Sequence, residues 1–215
     1  MSKLLLKCFS LFAVVLVMQG CASTGVTYVG DDSDEDGYSV EEFANDAVTF
    51  VDIEIDIEGF GVIEATLDAE AAPVTVANFH GLVEAGFYDG LTFHRIISRF
   101  MMQGGDPAGN GSGGSGETIV GEFASNDIDN PLSHTRGALS MARGMHDNDS
   151  ASSQFFIVHE DSTFLDGDYA VFGFVTSGMD VVDEVIASVT PIDDNGTVEF
   201  SEQPVINSIR VVDMR

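Results

Sequence analysis

At 215 residues the chain is long enough for one well-cored domain plus accessory segments, and its 44% hydrophobic content is ordinary for a globular protein. Its charge is not ordinary: 36 Asp and Glu stand against 8 Lys and Arg, a formal net charge of -28. Such a surface repels nucleic acid and anionic lipid headgroups, which excludes both as partners.

The chain opens with its only two lysines, Lys3 and Lys7, followed by an apolar run from Cys8 through Met18. A positive start and a short hydrophobic segment predict a secretory signal over residues 1–20. Met18-Gln19-Gly20-Cys21 resembles a bacterial lipobox, in which a small residue precedes a cysteine that is diacylated before cleavage. The resemblance implies an exported protein that begins at lipidated Cys21 and is held to the periplasmic side of a bacterial membrane. Ala22 rather than Asp after that cysteine implies sorting to the outer membrane. Loss of residues 1–20 discards both lysines and no acid, so 6 cations against 36 acids leave -30, every cation an arginine. Cys8 leaves with the signal, so the mature chain is expected to fold without a disulfide.

Residues 21–47 are expected to form a flexible acidic linker, dense in Asp from Asp31 to Asp36 and without hydrophobic periodicity. Asp32, Asp34, Asp36 and Gly37 match the first half of a calcium-binding loop, but its twelfth position is Phe43 rather than Glu. A solvated tether is the better reading.

From Thr49 the texture changes. Apolar residues alternate through Val51, Ile53, Ile55 and Ile57, Glu58-Gly59-Phe60-Gly61 forms a turn, and Val62 to Leu67 follows, which predicts a β-hairpin. After Pro73 the spacing of Val76, Phe79, Leu82 and Val83 predicts a helix, with Thr75 as N-cap and Gly86 as C-terminal stop. Further strands are predicted at 92–97, 101–103, 138–141, 155–158, 171–175 and 205–213, and a second helix at 179–189. Many strands and two helices fit a mainly β domain over residues 48–215, a closed barrel capped at its ends. A monomer is expected.

Four ordered blocks carry the chemistry: Phe93-His94-Arg95 through Gln103-Gly104-Gly105-Asp106, Gly137 to Arg143, Ser153-Gln154-Phe155-Phe156-Ile157, and Phe164 to Gly173. They are closely similar to the signature of the cyclophilins, and the resemblance covers roughly residues 49–213. It implies a closed eight-stranded antiparallel β-barrel capped by two α-helices, and peptidyl-prolyl cis/trans isomerase activity on proline-containing unfolded or nascent exported polypeptides. Such a reaction needs no metal, nucleophile or cofactor, and none is expected. The obstacle is amide resonance, a barrier of about 18–20 kcal/mol, and prolyl bonds are the natural substrate because both isomers are populated. When the amide twists, its nitrogen lone pair becomes a hydrogen-bond acceptor that a fixed guanidinium can favour.

The resemblance puts Arg95 in that catalytic role. It lines the proline pocket with Phe100, Met101, Phe156 and Leu165, with Tyr169 at the edge and Gln103 on the substrate backbone. Ala142, Arg143, Gln154 and Phe164 complete the implied substrate-binding set. Three departures stand out: Ser98-Arg99 where the family has Pro-Gly, Arg143 where many eukaryotic members have asparagine, and Phe164 in place of a tryptophan used to bind cyclosporin. The glycine-rich stretch 109–116 reads as a flexible loop beside the cleft. The five histidines have no metal-ligand spacing, and His94 reads as a structural hydrogen-bonding residue rather than a base. The alternative function is a non-catalytic module that captures proline segments as a chaperone or envelope scaffold.

Overall fold

The computed structural model describes residues 48–215. The expected signal segment, Cys21 and the acidic linker with its calcium-like half-loop all lie outside these residues. The first hairpin forms as its alternation dictates. β1 (Phe50–Ile57) buries Val51, Ile53, Ile55 and Ile57 and turns Asp52, Glu54 and Asp56 outward. β2 (Gly61–Asp68) pairs with it in the register Ile57 to Gly61.

Helix α1 (Pro73–Glu84) follows, with Pro73 in its first turn where a missing N–H costs nothing. The N-cap is Ala72, not Thr75, and it makes no side-chain cap bond. The cap is supplied from 47 residues away: Glu122 accepts the Thr75 N–H at 2.8 Å and the Thr75 hydroxyl at 2.6 Å. Its other oxygen takes the Val74 N–H at 3.0 Å. Gly86, at φ 64, does terminate the helix.

The remaining elements are β3 (Phe93–Ile97), β4 (Met101–Gly104), β5 (Ala138–Met141), β6 (Phe155–Val158), β7 (Val171–Ser177), α2 (Met179–Ser188) and β8 (Ile206–Met214). The eight strands make one antiparallel sheet in the order β3-β4-β6-β5-β7-β2-β1-β8. Phe79 of α1 lies within 5.4 Å of the rings of Tyr88, Phe155 and Phe172, and this aromatic group centres the main core.

The expected closed barrel is not formed: the sheet is curled but open between β3 and β8. Those two ends meet only around one bridge, Thr92 to Val205. Beyond it the free edge of β3 is taken by the loop before β8 instead. Ile96 N–H donates to the Gly196 carbonyl at 2.8 Å, and Val198 N–H donates to the His94 carbonyl at 2.9 Å. Gly196 is required there, because its φ is +85° and a Cβ would sit 2.7 Å from the Ile96 carbonyl oxygen. This loop keeps β8 off β3, and it also borders the cleft.

Candidate active site

The cleft lies over β3, β4 and β6, has a volume of about 460 Å³, and is floored by the buried side chains of Met101 and Phe156. Its apolar walls are Phe100, Leu165, Ala142 and Tyr169. Behind them a second small core of Met101, Ala138, Phe156, Val158 and Val171 holds the floor in place.

Arg95 stands at its head. The guanidinium is fixed on two sides: Nε donates to the Asn195 carbonyl at 2.8 Å, and Nη1 donates to Gln103 Oε1 at 3.2 Å and lies 3.9 Å from Met101 Sδ. Burial holds the Arg95 pKa below its ordinary value, partly offset by Tyr169 and Asp193. The group remains a cation at any ordinary pH, and its desolvation means fewer waters compete for its N–H donors. Gln103 is itself held, donating to Gln154 Oε1 at 2.9 Å, and Gln154 Nε2 reaches the Gly113 carbonyl at 2.7 Å.

Nine of the eleven predicted side chains therefore border one cleft: Arg95, Phe100, Met101, Gln103, Ala142, Arg143, Phe156, Leu165 and Tyr169. Gln154 does not line it; it lines a smaller adjoining cavity with Gln103, Ala142 and Arg143. Phe164 is also outside the lining, 73% exposed on the rim with its ring 5.6 Å from that of Phe100. Arg143 points its donors away from Arg95, to the Asp168 carbonyl at 2.9 Å and the Gly144 carbonyl at 3.0 Å. Its guanidinium carbon sits 4.8 Å from the Tyr169 ring, a cation–π contact that braces that wall.

The loop at 109–116, expected to be flexible, carries several ties to the domain beneath it. Asp106 accepts the N–H groups of Ala108 at 2.8 Å, Asn110 at 2.9 Å and Gly111 at 2.6 Å. Burial acts to raise the Asp106 pKa, but these three donors outweigh it and hold the carboxyl below its ordinary value. Asp106 makes no hydrogen bond to His94. His94 is 4% exposed and neither ring nitrogen has a hydrogen-bond partner among the described residues, where a structural hydrogen-bonding residue was expected.

Residues the sequence reading passed over include Asn195 and Thr197, which border the cleft, and His134. His134 is wholly buried behind the wall, bonded through Nδ1 to Asp166 at 2.7 Å and through Nε2 to Ser140 Oγ at 2.9 Å, with its ring stacked on Phe156 at 5.9 Å. The Asn195-Gly196 dipeptide was a legible turn signal. His134 carried none, because its partners are distant in sequence.

Burial holds the pKa values of His94 and His134 below the ordinary 6.5, with Asp106 and Asp166 respectively opposing. Each ring takes up a proton more readily unfolded than folded, so its contribution to stability is present above about pH 6.5 and is lost as the pH falls. On acidification from about pH 7.5 to about pH 5.5, wild type should lose roughly 2 °C more in melting temperature than His94→Gln. Equal losses in a thermal melt would show that His94 is not held neutral.

An open, curled antiparallel sheet carries a largely apolar cleft headed by a fixed guanidinium. Comparison with known proteins gives the family. The sequence profile described as "Cyclophilin type peptidyl-prolyl cis-trans isomerase/CLD" matches residues 50–213. Peptidyl-prolyl cis-trans isomerase B of Bacillus subtilis is 52% identical over 124 residues, covering 58% of this chain and 82% of that protein. Peptidyl-prolyl cis-trans isomerase of Helicobacter pylori is 44% identical over 127 residues, covering 58% of this chain and 74% of that one. Among solved structures, a Cryptosporidium parvum cyclophilin type peptidyl-prolyl cis-trans isomerase, crystallised in the presence of the dipeptide Ala-Pro, superposes with a TM-score of 0.66. It shares 28% identity and covers 75% of this chain and 99% of its own. The chain belongs to the cyclophilin family of peptidyl-prolyl cis-trans isomerases.

Proposed function

We propose that this isomerase accelerates X–Pro isomerisation in unfolded and newly exported polypeptides, and that Arg95 does so by favouring the twisted amide without any covalent intermediate. The observation that carries the reading is the fixed guanidinium at the head of a cleft with apolar walls and an apolar floor. In the planar ground state the amide nitrogen is a poor acceptor; in the twisted state it accepts, so an N–H donor aimed there binds the twisted state more strongly. The ring settles on Met101 and Phe156 between Phe100 and Leu165, and Gln103 orients the backbone. Ala142, Arg143, Gln154, Phe164 and Tyr169 shape the flanking contacts.

The protein acts as a monomer, anchored through lipidated Cys21 on the periplasmic side of a bacterial outer membrane, with residues 22–47 as its tether. The Lys3 and Lys7 start, the apolar run and the lipobox-like cysteine support this location. An isomerisation assay on a proline tetrapeptide tests the enzymatic part: catalysis is expected, whereas peptide binding without turnover would favour a capture module. Mass spectrometry of the native N-terminus tests the anchor, with a diacylated Cys21 expected and an unmodified terminus beyond it contradicting the assignment.

A further inference from the structure

The turn from β3 to β4 runs through Ser98, Arg99 and Phe100, and Phe100 then forms a wall of the cleft. Arg99 has a φ of 65°, a left-handed conformation that an L side chain rarely adopts and that persists only where surrounding contacts enforce it. Its own side chain does not enforce it: the guanidinium is 79% exposed and meets Glu160 only at 3.5 Å. The turn closes on its own Phe100 N–H bond to the Ile97 carbonyl at 3.0 Å, and the contacts from outside it come from one residue on the neighbouring strand exit. His159 N–H donates to the Phe100 carbonyl at 2.8 Å, and His159 Nδ1 accepts the Arg99 N–H at 2.9 Å. The turn is thus gripped on both sides of the Arg99–Phe100 peptide.

His159 is itself anchored. Its Nε2 lies 3.1 Å from Asp183 Oδ1 on α2, and Arg136 Nη2 donates to both Asp183 oxygens at 2.8 Å while Arg136 Nη1 donates to the His159 carbonyl at 2.6 Å. The two ring contacts are satisfied together by a ring with its proton on Nε2 and a free lone pair on Nδ1.

We propose that His159 is a positioning residue for the proline pocket: by accepting the Arg99 N–H it holds a non-glycine residue in the left-handed turn that seats Phe100. It compensates for arginine standing where glycine would adopt the same turn unaided. The role rests on the reading of Phe100 as a pocket wall.

The test is steady-state kinetics on a proline tetrapeptide with the full chain and five variants: His159→Ala, His159→Asn, Arg99→Gly, Arg99→Gly/His159→Ala and Arg95→Ala. Loss of the hydrogen bond in His159→Ala should raise KM about fivefold with kcat changed less than about twofold. His159→Asn keeps an acceptor at the Nδ1 position while dropping the Asp183 contact, and should restore KM to within about twofold of wild type. Arg99→Gly should make the histidine dispensable, so adding His159→Ala to it should move KM by less than about twofold.

An unchanged KM in His159→Ala, an equal penalty in the Arg99→Gly background, or an asparagine variant as poor as alanine would each overturn the positioning role. If His159→Ala does not fold by circular dichroism, His159→Asn decides: a KM within about twofold of wild type supports the role, and any larger rise overturns it. Failure of the underlying site reading looks different, because wild type would then show no activity that Arg95→Ala removes.

Discussion

Arg95→Ala should lower kcat by about 100- to 1000-fold while leaving peptide affinity and melting temperature nearly unchanged, the range seen when one donor aimed at developing charge is removed. The split between kcat and KM follows from what the guanidinium does. It is anchored by the Asn195 carbonyl and Gln103 Oε1, so its aim does not depend on substrate, and on the proposed mechanism its donation is stronger to the twisted amide than to the planar one. The apolar lining proposed to bind the ring remains, since Met101 and Phe156 are buried in a core of their own. Stopped kinetics on a proline tetrapeptide, paired with a thermal melt, checks the result. A rise in KM with kcat preserved would mean that Arg95 only binds.

The second large effect is on stability. Glu122→Ala should cost about 3 kcal/mol and lower the melting temperature by roughly 6–12 °C, because buried donors lose their acceptor. Glu122 is 3% exposed and, among the described residues, is the side-chain acceptor for the Val74 N–H, the Thr75 N–H and the Thr75 hydroxyl. These are donors of the first turn of α1, where the helix dipole also favours a carboxylate. Burial pushes the Glu122 pKa up, with the Thr75 and Val74 donors opposing, so the site balances desolvation against capping. Catalysis at low temperature should be unaffected, since Glu122 does not border the cleft. A melting temperature within about 2 °C of wild type would show that the cap contributes little.

These two residues mark where the sequence was legible and where it was not. Strands β1 and β2 were readable because one face of each is buried, so Val51, Ile53, Ile55 and Ile57 alternate with acids. Arg95 was singled out through the resemblance of its block to the cyclophilin signature, and the fold places it on the cleft, with β3 and β4 pairing it directly with Gln103. Contacts made across long sequence separations left no local pattern. Thr75 looked like an N-cap because its hydroxyl suits one, yet the cap came from Glu122, and the hydroxyl bonds to that same carboxylate. Closure of the barrel was inferred from strand count, whereas the outcome was decided by Gly196 and its neighbours taking the edge of β3. Glycine density at 109–116 gave no sign of the hydrogen bonds that Asp106, at the end of the signature block, accepts from Asn110 and Gly111.

The altered turn at Ser98-Arg99 shows the same division. The departure was visible in the sequence; its remedy, the Nδ1 of His159, is 60 residues away and became visible only in the fold. Phe100 keeps its place on the cleft, with Phe164 packed outside it.

The central claim is that a fixed, planar guanidinium, and not positive charge alone, promotes rotation about the prolyl bond. Arg95→Lys tests it most directly, because lysine keeps the charge but cannot hold the Asn195 carbonyl and Gln103 while presenting a further N–H to the amide nitrogen. The lysine variant should show kcat at least about tenfold below wild type at unchanged peptide affinity and unchanged melting temperature. A lysine variant within about twofold of wild type would contradict it.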